Sequence, residues 1–196
     1  MREIPSQLVS DESVVAYRSW RIELDTMPDG RWGPSLVGGL SDVRWPTIEL
    51  KATCEQRLRQ GREHPPAAAP ALACSCGIYG ASTPDAGFAW EFAGWPALGA
   101  TAPTVLTGRV YASSTEYRSE EARIVGPLEV RIGCAADRCA KRADFVVTHL
   151  GIPSSSCGDH VVDVAQGAES IGFVREFAAD LYARLEDRYG LEITPG

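Results

Sequence analysis

Cys134, Cys139, Cys157 and His160 carry the clearest chemistry in this chain. Four residues separate Cys134 from Cys139, two separate Cys157 from His160, and 17 lie between the pairs. Two close pairs of donors joined by an extended stretch are what a small zinc module needs. Each pair supplies two corners of a tetrahedron, and a hairpin between them brings the pairs together. Four protein ligands leave no position for substrate, so the expected ion is structural rather than catalytic. His149 is an alternative fourth ligand, from the middle of the hairpin. An iron–sulfur cluster is a competing reading, although such clusters usually take four cysteines. A nucleophilic Cys157–His160 pair is a third.

A second donor set lies earlier in the chain: Cys54, His64, Cys74 and Cys76, spaced C-x9-H-x9-C-x-C. Cys-x-Cys is too tight to close a good disulfide on itself. It can ligate one metal through a sharp turn, and Gly77 gives room for that turn. His64 sits in GREHPPAAAP, which holds neither helix nor central strand because its prolines remove donors and fix φ. Zinc is expected here too, giving two ions in all. The blander reading makes these cysteines buried small hydrophobes and His64 a surface residue.

Two further groups invite a ligand-binding reading. Arg118, in the polar run Tyr117–Arg123, has Glu120 on its own strand face and could orient toward a ligand. The plainer alternative, which we favour from the sequence, is a solvated edge strand with paired charges. Trp90, Phe92 and Trp95 could stack a base or ring, but such residues are more often core. No GxSxG, HExxH, P-loop or GxGxxG motif is present.

The elements that must position these groups are mostly strands. Val14, Ala16, Trp20, Ile22 and Leu24 alternate over Ser13–Leu24, which predicts a strand with Trp20 inward. Met27–Gly30 reads as a turn and RWGPSLVGGL as one short strand. Asp42–Cys54 reads as extended, with Trp45, Ile48, Leu50 and Ala52 toward the core. Strands are expected over Thr104–Ala112 and Glu116–Val125, with Pro127 as a break. Leu128–Ile132 leads into the Cys134 segment. Ala143–Ile152 is expected to form a hairpin turning at Gly151. Glu169–Tyr189 shows helical spacing through Ile171, Val174, Phe177, Leu181 and Leu185, and Gly190 is a good stop.

Composition narrows the class. The chain has 196 residues, 44% hydrophobic and 23% charged, as in ordinary globular proteins. No apolar run approaches a membrane span. MREIPSQLVSDES has neither an apolar core nor a cleavage site, so no signal peptide is expected. A cytoplasmic location follows as the default, where six cysteines are metal ligands or thiols rather than disulfides. The formal charge is −7, and six thiolates on two zinc ions would take it to −9. That disfavours nonspecific nucleic-acid binding, although Arg131, Arg138, Lys141 and Arg142 leave room for a local basic face.

Tyr17-Arg18-Ser19-Trp20, Cys54, His64, Cys74-Ser75-Cys76-Gly77-Ile78-Tyr79, Gly108-Arg109-Val110 and Tyr117-Arg118 with Ala122 together resemble a family of small actinobacterial and actinophage proteins. The resemblance covers roughly residues 14–125, and Cys-x-Cys-Gly-Ile-Tyr is its most specific piece. It implies metal binding and assigns no activity. The family usually carries a Trp-Gly pair ahead of the strand at Val110, where this chain has Thr107-Gly108-Arg109.

The expected architecture is α+β. Residues 13–127 form a β-rich domain with the first zinc site. Residues 128–196 form a treble-clef-like or zinc-ribbon-like module and a closing amphipathic helix. The leading functional expectation is a zinc-stabilised, non-enzymatic adaptor that binds protein or nucleic acid, with the helix as a dimer or partner surface. A nucleotide or modified-base reader using Arg118, Trp90 and Trp95, and a metal-dependent enzyme, are the alternatives.

Overall fold

The structure is a computed structural model, and it describes residues 7–9, 12–26, 32–38, 43–54, 69–71, 75–84, 98–136, 139–149 and 152–196. It is mixed α+β and strand-rich, with two helices among the described residues. The chain contacts divide it into two compact units. The first comprises 1–18, 47–88 and 102–126; the second comprises 19–46, 89–101 and 127–196.

The first unit is organised on one strand. Strands β1 (Gln7–Leu8) and β2 (Val14–Thr26) come early; β2 belongs to this unit as far as Arg18. After β3 (Trp32–Gly38) and β4 (Arg44–Trp45) of the second unit come β5 (Glu49–Lys51) and β6 (Ile78–Ala81). Then follow β7 (Leu98–Ala112), in this unit from Ala102 onward, and β8 (Glu116–Ile124). β8 pairs antiparallel with β7 on one edge. On the other edge β6 pairs with its first half and β5 with its second. β8 is therefore interior, which overturns the edge-strand reading of Tyr117–Arg123. Ala16, Leu106, Val110, Ala122 and Ile124 are buried around it. The β7–β8 ladder slips between Thr107 and Val110. Gly108 occupies the slip at φ 71°, and a Cβ there would stand 2.9 Å from Cβ of Glu120, so the bulge needs glycine.

The second unit begins with the hairpin of β2 and β3, in register from Trp20 opposite Gly38 to Thr26 opposite Trp32. β4 pairs with β3. This places Trp20 and Trp45 edge to face, centroids 5.2 Å apart. β9 (Leu128–Ile132) pairs with the first residues of β7. β7 thus starts at Leu98, six residues earlier than expected. Leu98–Thr101 is buried throughout; its small side chains blur the alternation that marks a strand in sequence. β10 (Phe145–His149), β11 (Ile152–Ser156) and β12 (Ser170–Phe173) form a separate three-stranded sheet with β10 central. Helix α1 (Val161–Val164) lies between β11 and β12, α2 (Val174–Tyr189) follows β12, and β13 (Ile193–Pro195) pairs parallel with β9.

The expected helix over Glu169–Tyr189 is shorter than its apolar pattern. Ser170–Phe173 pairs with β10 as strand instead. Gly172 lowers helix propensity there, and the ladder to β10 supplies the backbone partners. Ile171 and Phe173 are exposed at 59% and 65%, so Ile171 does not join the buried stripe. Leu181, Leu185 and Tyr189 are that stripe, and it is buried within the chain. Gly190 ends the helix in the left-handed region at φ 64°, where glycine costs least. The Tyr189 hydroxyl donates to the Trp45 carbonyl at 2.8 Å and accepts from the Leu36 amide at 2.9 Å. Arg184 and Arg188 donate to the carbonyls of Trp32 and Pro34 at 2.6 and 2.8 Å. These bonds fix α2 on β3. No helix among the described residues is long and apolar enough to cross a membrane.

Candidate metal centre

The Cys134 set converges. The ligand atoms of Cys134, Cys139, Cys157 and His160 all lie within 4.8 Å of one another, and the cluster could hold a metal ion. Local hydrogen bonding explains the convergence. The end of β9 turns back on itself: Cys134 N–H donates to the Lys141 carbonyl, and Ala143 N–H to the Ile132 carbonyl. Inside that closed loop Cys139 N–H donates to Ala136 at 3.0 Å, so both thiols point from one tight knuckle. β10 and β11 then form a hairpin, with His149 opposite Ile152. It returns the chain to the knuckle, where Ala135 N–H donates to the Ser155 carbonyl at 2.7 Å and Ser155 Oγ donates to the Gly133 carbonyl at 2.6 Å. Cys157 and His160 close one turn through His160 N–H to the Cys157 carbonyl at 3.0 Å, just before α1. The expected hairpin is present but runs on to Ser156, beyond the predicted Ala143–Ile152; the tip, Leu150–Gly151, lies outside the described residues.

The spacings suit a tetrahedral ion. Nδ1 of His160 stands 3.6 Å from Sγ of Cys134 and 3.3 Å from Sγ of Cys157; Cys139 and Cys157 sulfurs are 3.9 Å apart. A tetrahedral zinc with ordinary bond lengths asks for about 3.8 Å between sulfurs and about 3.5 Å from sulfur to nitrogen. Nδ1 is therefore the ring nitrogen of His160 that stands beside the Cys134 and Cys157 sulfurs.

The same contacts shift the thiols in opposite directions. Burial opposes ionisation of Cys134, but backbone N–H groups of Cys157 and Ala136 and side-chain bonds from Cys157 and His160 outweigh it, bringing the thiol down to about 6. At Cys139 the Lys141 backbone N–H favours the thiolate. Burial and the neighbouring Cys134 and Cys157 sulfurs outweigh that help and push the thiol up. Without an ion, the cluster thus keeps one readily formed thiolate and one reluctant one.

Three residues that the sequence did not mark as supports stand at the cluster. Asp144 accepts Gly158 N–H on its carboxylate at 3.0 Å, donates its own N–H to Ser156 and accepts Val174 N–H at the start of α2. It ties the metal turn to the hairpin and the helix. Lys141 and Asp159 form an exposed ion pair beside the cluster; the ammonium holds the Asp159 carboxyl below its usual range. Only the hairpin register brings Asp144 to the turn, so no spacing rule could find it.

The first donor set is seen in part. Cys54 and Cys76 are half-buried; His64 and Cys74 lie outside the described residues, as do Trp90, Phe92 and Trp95. Strand register relates the two visible cysteines. Ala52 N–H donates to the Glu120 carbonyl at 2.7 Å, and Ile78 stands opposite Ser119. The chain thus leaves one edge of β8 and rejoins it one residue further along, a step of about 3.3 Å. Cys54 and Cys76 stand two residues from either side of that neck.

Arg118 is fully buried. It donates to the carbonyls of Ala71 and Cys76 at 3.2 and 3.4 Å, and its guanidinium lies 5.1 Å from the Tyr111 ring centre. Arg18 donates to the Tyr79 carbonyl. Two arginines thus hold the segment Cys76–Tyr79. Gly77, at φ 132°, permits the packing: a Cβ would stand 2.6 Å from Cγ of Arg118.

No protein-family profile, curated protein or solved structure matches this chain.

Proposed function

We propose that the protein is a zinc-stabilised binding or adaptor protein with no catalytic chemistry at its metal, and that its partner is a protein. The carrying observation is the closure of the Cys134–Cys139–Cys157–His160 set at tetrahedral spacings. Four protein donors fill the coordination sphere, which suits an ion that folds a segment rather than one that binds substrate. Three thiolates and one imidazole favour zinc over hard cations. A treble-clef-like or zinc-ribbon-like module is part of the same proposal, supported by the hairpin of β10 and β11 that joins the two donor pairs. The charge of −7 favours a protein partner over phosphate backbones.

A second zinc belongs to the same proposal, held by Cys54, His64, Cys74 and Cys76. Its support is that Cys54 and Cys76 flank adjacent register positions on β8. An ion there would close a loop whose sequence contains the other two donors.

Metal analysis of the purified full chain tests both parts. Two zinc ions per chain are expected. One ion, lost on Cys139→Ser but kept on Cys54→Ser, would remove the second site. Less than one would overturn the zinc reading. A gel-shift series in varied salt is expected to show no nucleic-acid binding at physiological ionic strength; a salt-dependent shift would replace the protein partner with a nucleic acid.

A further inference from the structure

We propose that the Cys134 cluster is also an oxidation site, at which hydrogen peroxide joins Cys139 to Cys157 as a disulfide and expels the metal. The inference rests on the zinc reading above. It comes from an asymmetry among the three sulfurs. Cys134 and Cys157 are 6% and 2% exposed, whereas Cys139 is only half-buried. With the ion bound all three sulfurs are held as thiolates, so exposure decides the order, and an oxidant arriving from solvent meets Cys139 first.

The resolving sulfur is already beside it. Sγ of Cys157 is 3.9 Å from Sγ of Cys139. A disulfide needs about 2.05 Å, so the two sulfurs have to close on each other from adjacent positions. The Cys139 thiolate attacks one peroxide oxygen; the O–O bond breaks, hydroxide leaves and a sulfenic acid remains on Cys139. The Cys157 thiolate then attacks that sulfur; the S–O bond breaks, a second hydroxide leaves and the S–S bond forms. The two sulfurs lose two electrons, peroxide gains them, and two solvent protons complete two waters.

Only Cys134 and His160, half of the donor set, would then remain to hold the ion, and the site would release it. The new bond spans the knuckle and the turn before α1, the two elements that the metal joined. Oxidation therefore exchanges a metal staple for a covalent one across the same 17-residue stretch. The hairpin stays tethered while the metal leaves, and a thiol reductant with zinc restores the starting state.

The test uses the full chain with its zinc content measured beforehand. Hydrogen peroxide is added, released zinc is followed with a chromogenic chelator, and peptide mapping locates the disulfide. Zinc release in step with a Cys139–Cys157 bond, reversed by dithiothreitol and zinc, is expected. A first disulfide through Cys134, or retention of the ion while other thiols oxidise, overturns the proposal. Dimedone present during oxidation is expected to label Cys139 ahead of Cys134 and Cys157; the reverse order also overturns it. Cys139→His keeps a fourth donor and removes the first sulfur, so release slows roughly tenfold or more; an unchanged rate counts against the proposal. If the chain carries no zinc at the outset, the metal reading fails instead, and the disulfide map of that sample still decides the pairing.

Discussion

Sγ of Cys157 and Nδ1 of His160 stand 3.3 Å apart on a single turn, closed by the His160 N–H bond to the Cys157 carbonyl. A turn that fixes two donors at this separation supplies half of a tetrahedron before any ion arrives. The other half comes from the knuckle after β9, and the hairpin of β10 and β11 sets the distance between them. Removing any one donor should therefore undo more than one bond. Cys139→Ser is expected to lose zinc from this site and to lower the melting temperature of the unit containing residues 127–196, because structural zinc supplies folding free energy directly. His149→Ala is expected to leave zinc content unchanged. Zinc analysis and thermal melts of both variants check this; a Cys139→Ser protein that melts like its parent would show the site is not structural.

Acid should release the ion. Cys134 is depressed to about 6 by its hydrogen bonds. A depressed group stabilises the fold fully above its unfolded value and loses that contribution as pH falls through the folded one. In chelator-treated protein, the Cys134 contribution therefore grows from about pH 6 toward the ordinary thiol range and vanishes below pH 6. Cys139, pushed up, offsets part of it at the alkaline end. With zinc present, proton competition for the thiolates weakens binding as pH drops. Zinc affinity measured by chelator competition from pH 5 to pH 8 should rise steeply with pH; a flat profile would mean the thiolates do not ligate.

Asp144 should matter to the metal without touching it. Its carboxylate holds Gly158 N–H at 3.0 Å and so fixes the turn that carries Cys157 and His160. Outer partners of this kind are typically worth 10–100-fold in affinity. Asp144→Ala is expected to weaken zinc binding by roughly that factor while the protein still folds in excess zinc. Competition with a chelator of known affinity measures it, and an unchanged affinity would assign Asp144 to the helix alone.

Tyr189 anchors α2 through one hydroxyl that both donates to Trp45 and accepts from Leu36. Tyr189→Phe leaves a buried carbonyl and a buried amide without that partner, at a cost of about 1–3 kcal/mol. Urea unfolding should show the lower midpoint with an unchanged slope.

Gly77 should resist substitution. Its φ of 132° and the 2.6 Å approach of Arg118 Cγ both exclude a side chain. Gly77→Ala is expected to destabilise the first unit by about 1–3 kcal/mol, detectable as a shifted melting transition. A neutral effect would mean that the Cys76–Tyr79 segment repacks freely.

Part of this protein can be read from local chemistry. Donor spacing predicted the Cys134 set and its hairpin, because ligand pairs and turn residues act over a few positions. Alternation revealed β2, and Gly190 marked the end of α2. What failed depended on partners far away in sequence. Ser170–Phe173 carries a helical apolar pattern, yet the open edge of β10 makes it strand. Arg118 reads as a surface charge until β7 pairs on one side of β8 and β5 and β6 on the other, burying it beneath backbone carbonyls. Asp144 reaches Gly158 only because the hairpin sets that register. Residue type and spacing determined which atoms can bind a metal. Tertiary pairing decided which reach each other and which cysteine is least buried, since burial and register are properties of neighbours the local sequence does not contain.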